Sequence, residues 1–299
     1  MSSVQRSNAQ IITFIVILSV ICATILASMS SALQEPKEAA KELDRSKQMM
    51  IAARILTHES VFQISKKQEE YEPAKYAGNG LLEADPNPKP ATSKEILDVF
   101  NYRFAPMLTD NKGKLVTFKE AGINQEDYIA SHKKSGYSLL KYKLLYKILP
   151  NEENAQEKQP IGYVIPINGF GLWDAIYGYL AIGTDGNTVI GTSWYDQKET
   201  PGLGANIAEA YWQNLFPGKQ IFQAGPTGQV DTKSSPVGII VVKGKVSEVI
   251  GDAPKSKSAV DGMAGATLTG NGVTDAYRDV LSNYRPFLSQ LHEQKGKQS

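Results

Sequence analysis

The longest apolar run stands near the start of the chain. Between Arg6 and Glu35 lie 28 residues without a charge, and Ile11 to Met29 is dominated by Ile, Val, Leu, Ala and Phe. Coiled as a helix, that stretch spans about 28 Å, close to the hydrocarbon thickness of a bilayer. The pattern predicts one membrane-spanning helix. Lys37 to Leu56 follows with Leu43, Met50, Ile51 and Ile55 at rough helical spacing, which predicts a second helix. Tyr71 to Pro90 is rich in Pro, Gly, Asn and Glu and predicts a surface loop. Ser93 to Phe100 predicts a short helix capped by Ser93, with Glu95 in its first turn.

From Tyr137 onward the pattern becomes strand-like. Tyr137–Leu149 is expected to pair with Ile161–Ile167 across a polar loop, and Tyr179–Gly183 with Thr188–Tyr195 through an Asp185-Gly186 turn. Val237–Val242 and Val246–Ile250 read as a third pair around Gly244. Helices are expected at Asn206–Leu215 and from Asn271 through Leu281. In the latter, Val273, Ala276, Tyr277, Val280, Leu281 and Tyr284 form one buried stripe at helical spacing. The implied fold class is α+β, a single N-terminal transmembrane helix followed by a mainly antiparallel sheet domain with flanking helices. The expected division is a membrane anchor at 1–34, a helix and loop-rich connecting region at 35–136, and the sheet domain at 137–299.

Composition narrows the chemistry by exclusion. The 299 residues hold 32 Lys+Arg against 31 Asp+Glu, so no basic face for nucleic acid is expected. A single cysteine, Cys22, excludes an internal disulfide and any thiolate zinc or iron–sulfur site built by this chain alone. His58, His132 and His292 are too scattered to suggest a metal centre. Cys22 lies inside the apolar run, and Ile21 before it is too large for a lipid-modification site. Ser30-Ser31-Ala32 offers small residues for signal cleavage, but the run exceeds the usual apolar core of about 7–15 residues, which favours a retained anchor. Arg6 and the terminal amine precede the span, and Glu35-Pro36-Lys37-Glu38 comes after it. The positive-inside rule then places the N-terminus in the cytoplasm and the body outside.

Three segments carry candidate chemistry. In Gly169-Phe170-Gly171-Leu172-Trp173-Asp174, paired glycines let backbone approach a partner and Trp173 offers a broad apolar face. In Glu199-Thr200-Pro201-Gly202-Leu203-Gly204, Pro201-Gly202 predicts a type II turn. The third, Asp261 to Gly272, is a small-residue loop feeding a helix start, where free backbone N–H groups and the helix dipole suit a phosphate. It lacks the lysine of a Walker loop and the spacing of a dinucleotide-fold glycine motif. On local physics alone, ordinary capping by Thr269 or Asn271 explains this loop equally well.

Together these segments resemble a known family. Ala264-Gly265-Ala266-Thr267 resembles the Ser/Thr-Gly-Ala-Thr flavinylation motif of the FMN-binding domain, and Glu199 to Gly204 matches that family's Glu-Thr-Pro-Gly-Leu-Gly loop without a change. Trp212 and Phe216-Pro217-Gly218-Lys219 resemble the segment beyond that loop. With the anchor, these motifs are similar to those of the C subunit of Na⁺-translocating NADH:quinone oxidoreductases. Residues 71–136 and 223–236 carry no matching motif. The resemblance implies FMN joined to Thr267 by a phosphoester, cradled by Ala264, Gly265, Ala266 and Leu268. It further implies Trp173 and Leu203 against the flavin ring, and Thr200 with the backbone of Gly202 and Gly204 at its polar edge. Lys219 is expected at the same cofactor. No catalytic or metal-ligating residue is implied. Implied partners are the other subunits of the complex, a flavin transferase for maturation, and the membrane, specifically a bacterial inner membrane with the body on the periplasmic side.

This chain has Ala264 where the family usually has Ser or Thr. The position is not the acceptor, so its missing hydroxyl removes one hydrogen bond, worth about 1 kcal/mol. Three other readings compete, one of them a soluble secreted binding protein if the span is cleaved. The G subunit of the Rnf ferredoxin:NAD⁺ oxidoreductase shares the threonine motif and the Glu-Thr-Pro-Gly-Leu-Gly loop, although the Gly-Leu-Trp segment and the helix after the anchor favour the NADH:quinone oxidoreductase. An anchored scaffold without flavin is the reading from a different class.

Overall fold

The computed structural model describes residues 8–67 and 70–298. Arg6, on which the orientation of the anchor leans, lies outside them. The chain divides into two units, 1–44 and 45–299. In the first, helix α1 (Asn8–Ala32) takes up the uncharged run and buries none of its side chains. Its 25 residues reach about 37 Å, and a helix apolar all round needs either a core or a bilayer to cover it. Helix α2 (Gln34–Ala52) comes next, and its last two turns, in the second unit, bury Ser46, Met49, Met50 and Ala52.

The second unit contains two sheets and a short parallel pair. A three-stranded antiparallel sheet joins β1 (Phe62–Lys67), β2 (Glu70–Gly78) and β3 (Leu81–Ala84) in that order. The loop expected over 71–90 is therefore a hairpin for its first half. Asn79 and Gly80 both have positive φ, 50° and 77°, and form the two-residue type I′ turn that such a hairpin needs. Helix α3 (Ser93–Arg103) is capped by Thr92 rather than Ser93: Thr92 and Glu95 make a reciprocal capping box.

The main sheet has β4 (Phe104–Thr109), β5 (Leu115–Val116), β6 (Lys143–Ile148), β7 (Gly162–Phe170), β8 (Ala175–Gly183) and β9 (Val189–Asp196). Their order is β5-β4-β6-β7-β8-β9, with every pair antiparallel. The first two expected hairpins, β6–β7 and β8–β9, are present. Strands β4 and β5, which fall within the expected connecting region at 35–136, are thus members of the same sheet as β6 to β9. Short helices α4 (Phe118–Ala121) and α5 (Gln125–His132) fill the link from β5 to β6.

The third expected strand pair is replaced by something else. Within it β10 (Ile240–Val241) pairs in parallel with β11 (Ala259–Val260), and Val237 makes an isolated antiparallel bridge with Phe222. Before β10, the stretch expected as the helix Asn206–Leu215 is a 3₁₀ turn over Gly204–Ala208 and a short helix α6 (Ala210–Gln213). After it, residues Val246–Val249 form one helical turn, α7, because the Asp261 carboxylate accepts from the Val246 N–H at 2.8 Å.

Helix α8 (Thr267–Gln298) lies against β7 and closes the core. All six residues of the stripe are buried, joined by Phe287 and Leu288. Tyr277 and Tyr284 keep their hydroxyls bonded, to Thr192 Oγ1 at 2.7 Å and to the Leu144 carbonyl at 2.5 Å. The helix comes this close because glycine stands at the contacts. A Cβ on Gly169 would lie 2.5 Å from that of Ala276, and one on Gly272 would overlap the Phe170 carbonyl oxygen. Ordinarily a glycine inside a helix loses about 1 kcal/mol to alanine. Here the overlap reverses the sign: Gly272→Ala should destabilise by about 1–3 kcal/mol, read as a lower urea midpoint. Gly296→Ala on the same helix, with open space around it, should leave the midpoint unchanged or slightly raised.

Candidate functional site

The three chemically suggestive segments meet at the N-terminal end of α8. Gly270 N–H donates to the Ala266 carbonyl at 3.0 Å, so Ala266 is the residue on which the helix starts. Its methyl group cannot accept from the first-turn amides as a Ser, Asn or Asp would. The helix end therefore keeps its positive pole available to an outside acceptor. The preceding loop is held from beneath. Trp212 Nε1 donates to the Asp261 carbonyl at 3.0 Å, and Gly262 N–H donates to the Gly244 carbonyl at 2.8 Å.

The two hydroxyls of this segment differ sharply. Thr267 and its neighbours Ala264, Gly265 and Leu268 are exposed, whereas Thr269 is 1 % exposed. Thr269 is not the cap expected for it, because it lies in the third position of the helix. Its Oγ1 donates to Glu199 Oε2 at 2.5 Å. That contact attaches α8 to the second segment. There Leu203 N–H bonds the Thr200 carbonyl at 3.0 Å with Gly202 at φ 75°, the type II turn expected from Pro201-Gly202. The two loops touch again where Gly265, at φ 72°, brings its backbone against Leu203. Gly204 is buried under the Glu199–Thr269 contact and serves as a spacer there, while Gly202 faces open space.

Glu199 is the functional residue that sequence reasoning passes over. It is 4 % exposed, yet its carboxylate also accepts from the N–H groups of Leu172 at 3.1 Å and Trp173 at 3.0 Å. Burial alone would push this carboxyl up, but the Thr269 hydroxyl and the Trp173 and Leu172 amides outweigh it and hold it below its ordinary value. One signal is visible in the sequence: Glu199 is the one acidic residue in the run from Gln197 to Ala208.

Around this polar knot the surface is apolar. Phe170, Leu172, Trp173, Leu203 and Leu268 are all exposed, Trp173 at 69 %. The Trp173 indole N–H donates to Thr200 Oγ1 at 3.1 Å. The structure thus brings together Trp173, Thr200, Gly202, Leu203, Gly204 and the segment 264–268. Lys219 does not join them. Its carbonyl accepts from the Val189 N–H at the start of β9, whereas the Glu199 loop leaves the far end of that strand. Seven rises of about 3.3 Å separate the two ends. Its Nζ instead faces the Ser256 carbonyl at 3.5 Å. Among the described residues no His, Cys, Asp or Glu cluster could hold a metal ion.

A helix start with an open positive pole, an exposed hydroxyl and flanking apolar side chains suits a phosphorylated aromatic cofactor. In agreement, residues 171–282 match the FMN-binding domain family. The chain belongs to the family of the C subunit of the Na⁺-translocating NADH-quinone reductase. It is 40 % identical over 291 residues to that subunit from Chlamydia muridarum, covering 93 % of this chain and 91 % of the relative. It is 30 % identical to the Haemophilus ducreyi subunit, covering 95 % of each. Crystal structures of the corresponding subunit from Parabacteroides distasonis and of NqrC from Shewanella oneidensis share its fold. Their TM-scores are 0.52 and 0.53 at 22 % and 23 % identity, covering 86 % and 85 % of this chain and 97 % and 99 % of theirs.

Because the native carboxyl sits below its ordinary value of 4.5, its contribution is fully present above that pH. It is lost as the pH falls through the lowered value. Glu199→Gln keeps the shape but not the charge. At pH 7 it should destabilise by about 1.5–3 kcal/mol, the worth of hydrogen bonds to a charged group. The gap between the two proteins in denaturant titrations should close progressively below about pH 4.5.

Proposed function

We propose that this chain carries FMN joined by a phosphoester to Thr267 and relays electrons between subunits of a Na⁺-translocating NADH:quinone oxidoreductase. The observation that carries this reading is the division of labour between the two hydroxyls. Thr269 is buried and engaged with Glu199, while Thr267 is exposed at an uncapped helix start. The residues present fit the group. First-turn amides of α8 would hold phosphoryl oxygens, and the small side chains of Ala264, Gly265 and Ala266 leave room for a transferase to approach. Trp173 and Leu203 would flank the ring, with Leu268 beside them and Thr200 able to donate its hydroxyl proton toward a polar edge. Bound FMN supplies reversible electron uptake, and the chain supplies position and electrostatics.

The remaining parts follow from that role. A separate flavin transferase is needed to move FMN from FAD onto the hydroxyl. Other subunits of the complex would deliver and accept the electrons on the path from NADH to quinone. They would also export the sodium, since α1 contains no Asp, Glu, Lys, Arg or His to line an ion path. We place α1 across a bacterial inner membrane with the body on the periplasmic side.

Two experiments test this. With the transferase co-expressed, intact mass should show an FMN adduct on wild type and on Thr269→Ala, the latter destabilised by about 1.5–3 kcal/mol through loss of one hydrogen bond to the Glu199 carboxylate, whose Oε2 keeps the Leu172 amide. Thr267→Ala should fold but lack the adduct. An adduct that persisted in the Thr267 variant would refute the linkage. For topology, a reporter active only in the cytoplasm should be silent when fused after Ser299. Strong activity would reverse the orientation.

A further inference from the structure

Three consecutive residues leave the end of β9, and each grips a different part of one four-residue loop. Lys198 forms an ion pair with the Asp174 carboxylate. Glu199 accepts from the amides of Leu172 and Trp173, at 3.1 and 3.0 Å. Thr200 accepts from the Trp173 indole at 3.1 Å. The loop closes on itself through Gly171 N–H to the Asp174 carbonyl at 2.9 Å. Apolar burial contributes little to this placement, since Phe170, Leu172 and Trp173 are all largely exposed. An exposed tryptophan normally samples several rotamers, yet this one has both its backbone and its ring nitrogen tied down.

We propose that Lys198, Glu199 and Thr200 form a positioning clamp that holds the Trp173 indole in a fixed pose against the flavin ring. The inference rests on the reading that FMN occupies this site with Trp173 beside it. The three grips are unequal. An exposed lysine–aspartate pair contributes little in water. Buried, charge-assisted hydrogen bonds to two successive amides contribute most. Glu199 is therefore the dominant member. Thr200 governs ring orientation, and Lys198 is an accessory. Because Glu199 also receives the Thr269 hydroxyl, the clamp is referenced to the same helix that bears Thr267. Ring support and tether are thereby held in one frame.

The test uses full-length protein in detergent, made with and without the transferase. In flavin-free protein, amide exchange at Leu172 and Trp173 should accelerate about tenfold or more in Glu199→Gln, the loss expected for charge-assisted bonds, and stay nearly unchanged in Lys198→Ala. Thr200→Val should accelerate exchange of the Trp173 indole N–H and leave the backbone amides protected. In flavin-loaded protein, Glu199→Gln and Thr200→Val should retain the mass adduct while shifting the flavin absorption band and midpoint potential. Unchanged exchange in flavin-free Glu199→Gln and Thr200→Val would overturn the clamp itself. Accelerated exchange with an unaltered flavin spectrum and potential would instead overturn the placement of Trp173 at the ring. Loss of the adduct in both variants would also overturn it, since the clamp would then serve attachment. Should Glu199→Gln fail to fold, Glu199→Asp, which keeps the charge but shortens its reach, carries both measurements, and unchanged amide exchange in it and in Thr200→Val would equally overturn the clamp.

Discussion

The geometry of the candidate site depends on one buried carboxylate. Glu199 draws in three donors from two distant parts of the chain, the Leu172 and Trp173 amides and the Thr269 hydroxyl. Among the described residues it is the one side chain that hydrogen-bonds both the Gly171–Asp174 turn and the start of α8. A carboxylate suits this task because it is acceptor-only and can take several donors at once. The glycines around it are there for space: a Cβ on Gly171 or Gly204 would press on the carboxylate. The absence of side chains and the presence of one charge are two halves of the same device.

The core sets where that device sits. The stripe from Val273 to Tyr284 fixes the rotation of α8 over β7, and Gly169 and Gly272 fix its height above the sheet. These close contacts, at Gly272 and Ala276, lie five and nine residues along the helix from the exposed hydroxyl of Thr267. A small side chain added at either glycine would lift the helix end and tilt the Thr269 hydroxyl away from its acceptor. Core packing and site geometry are consequently not separable at this end of the molecule.

Much of this is legible in the chain. The six-residue stripe, the β6–β7 and β8–β9 hairpins and the type II turn at Pro201-Gly202 each follow from local spacing, and each is present. The β2–β3 hairpin escapes notice because the loop-like composition of twenty residues masks the Asn79-Gly80 pair inside it. The role of Glu199 is hidden for a different reason: its partner Thr269 is seventy residues away, and no periodicity predicts a meeting of that kind. Lys219 shows the opposite error. It comes soon after the Glu199 loop in sequence, but the Phe216–Lys219 turn carries it back to the opposite end of β9. Thr269 looks like a cap because it stands near a helix start, yet the helix begins two residues earlier.

Ala266 at the start of α8 has a consequence for how the protein is made. Natural helices usually close their first turn with a side-chain oxygen, worth about 0.5–2 kcal/mol, and this one stands without that closure as translated. Under the proposed linkage, a phosphoryl group carried by the first helical residue would supply the missing acceptor from outside the genetic code. The prosthetic group would then be a structural component of the helix as well as a redox one. Maturation would tighten the very element on which the transferase acts, so that substrate and product of that enzyme differ in rigidity. Under that linkage, a helix end left incomplete in this way would distinguish the unmodified chain from the finished one.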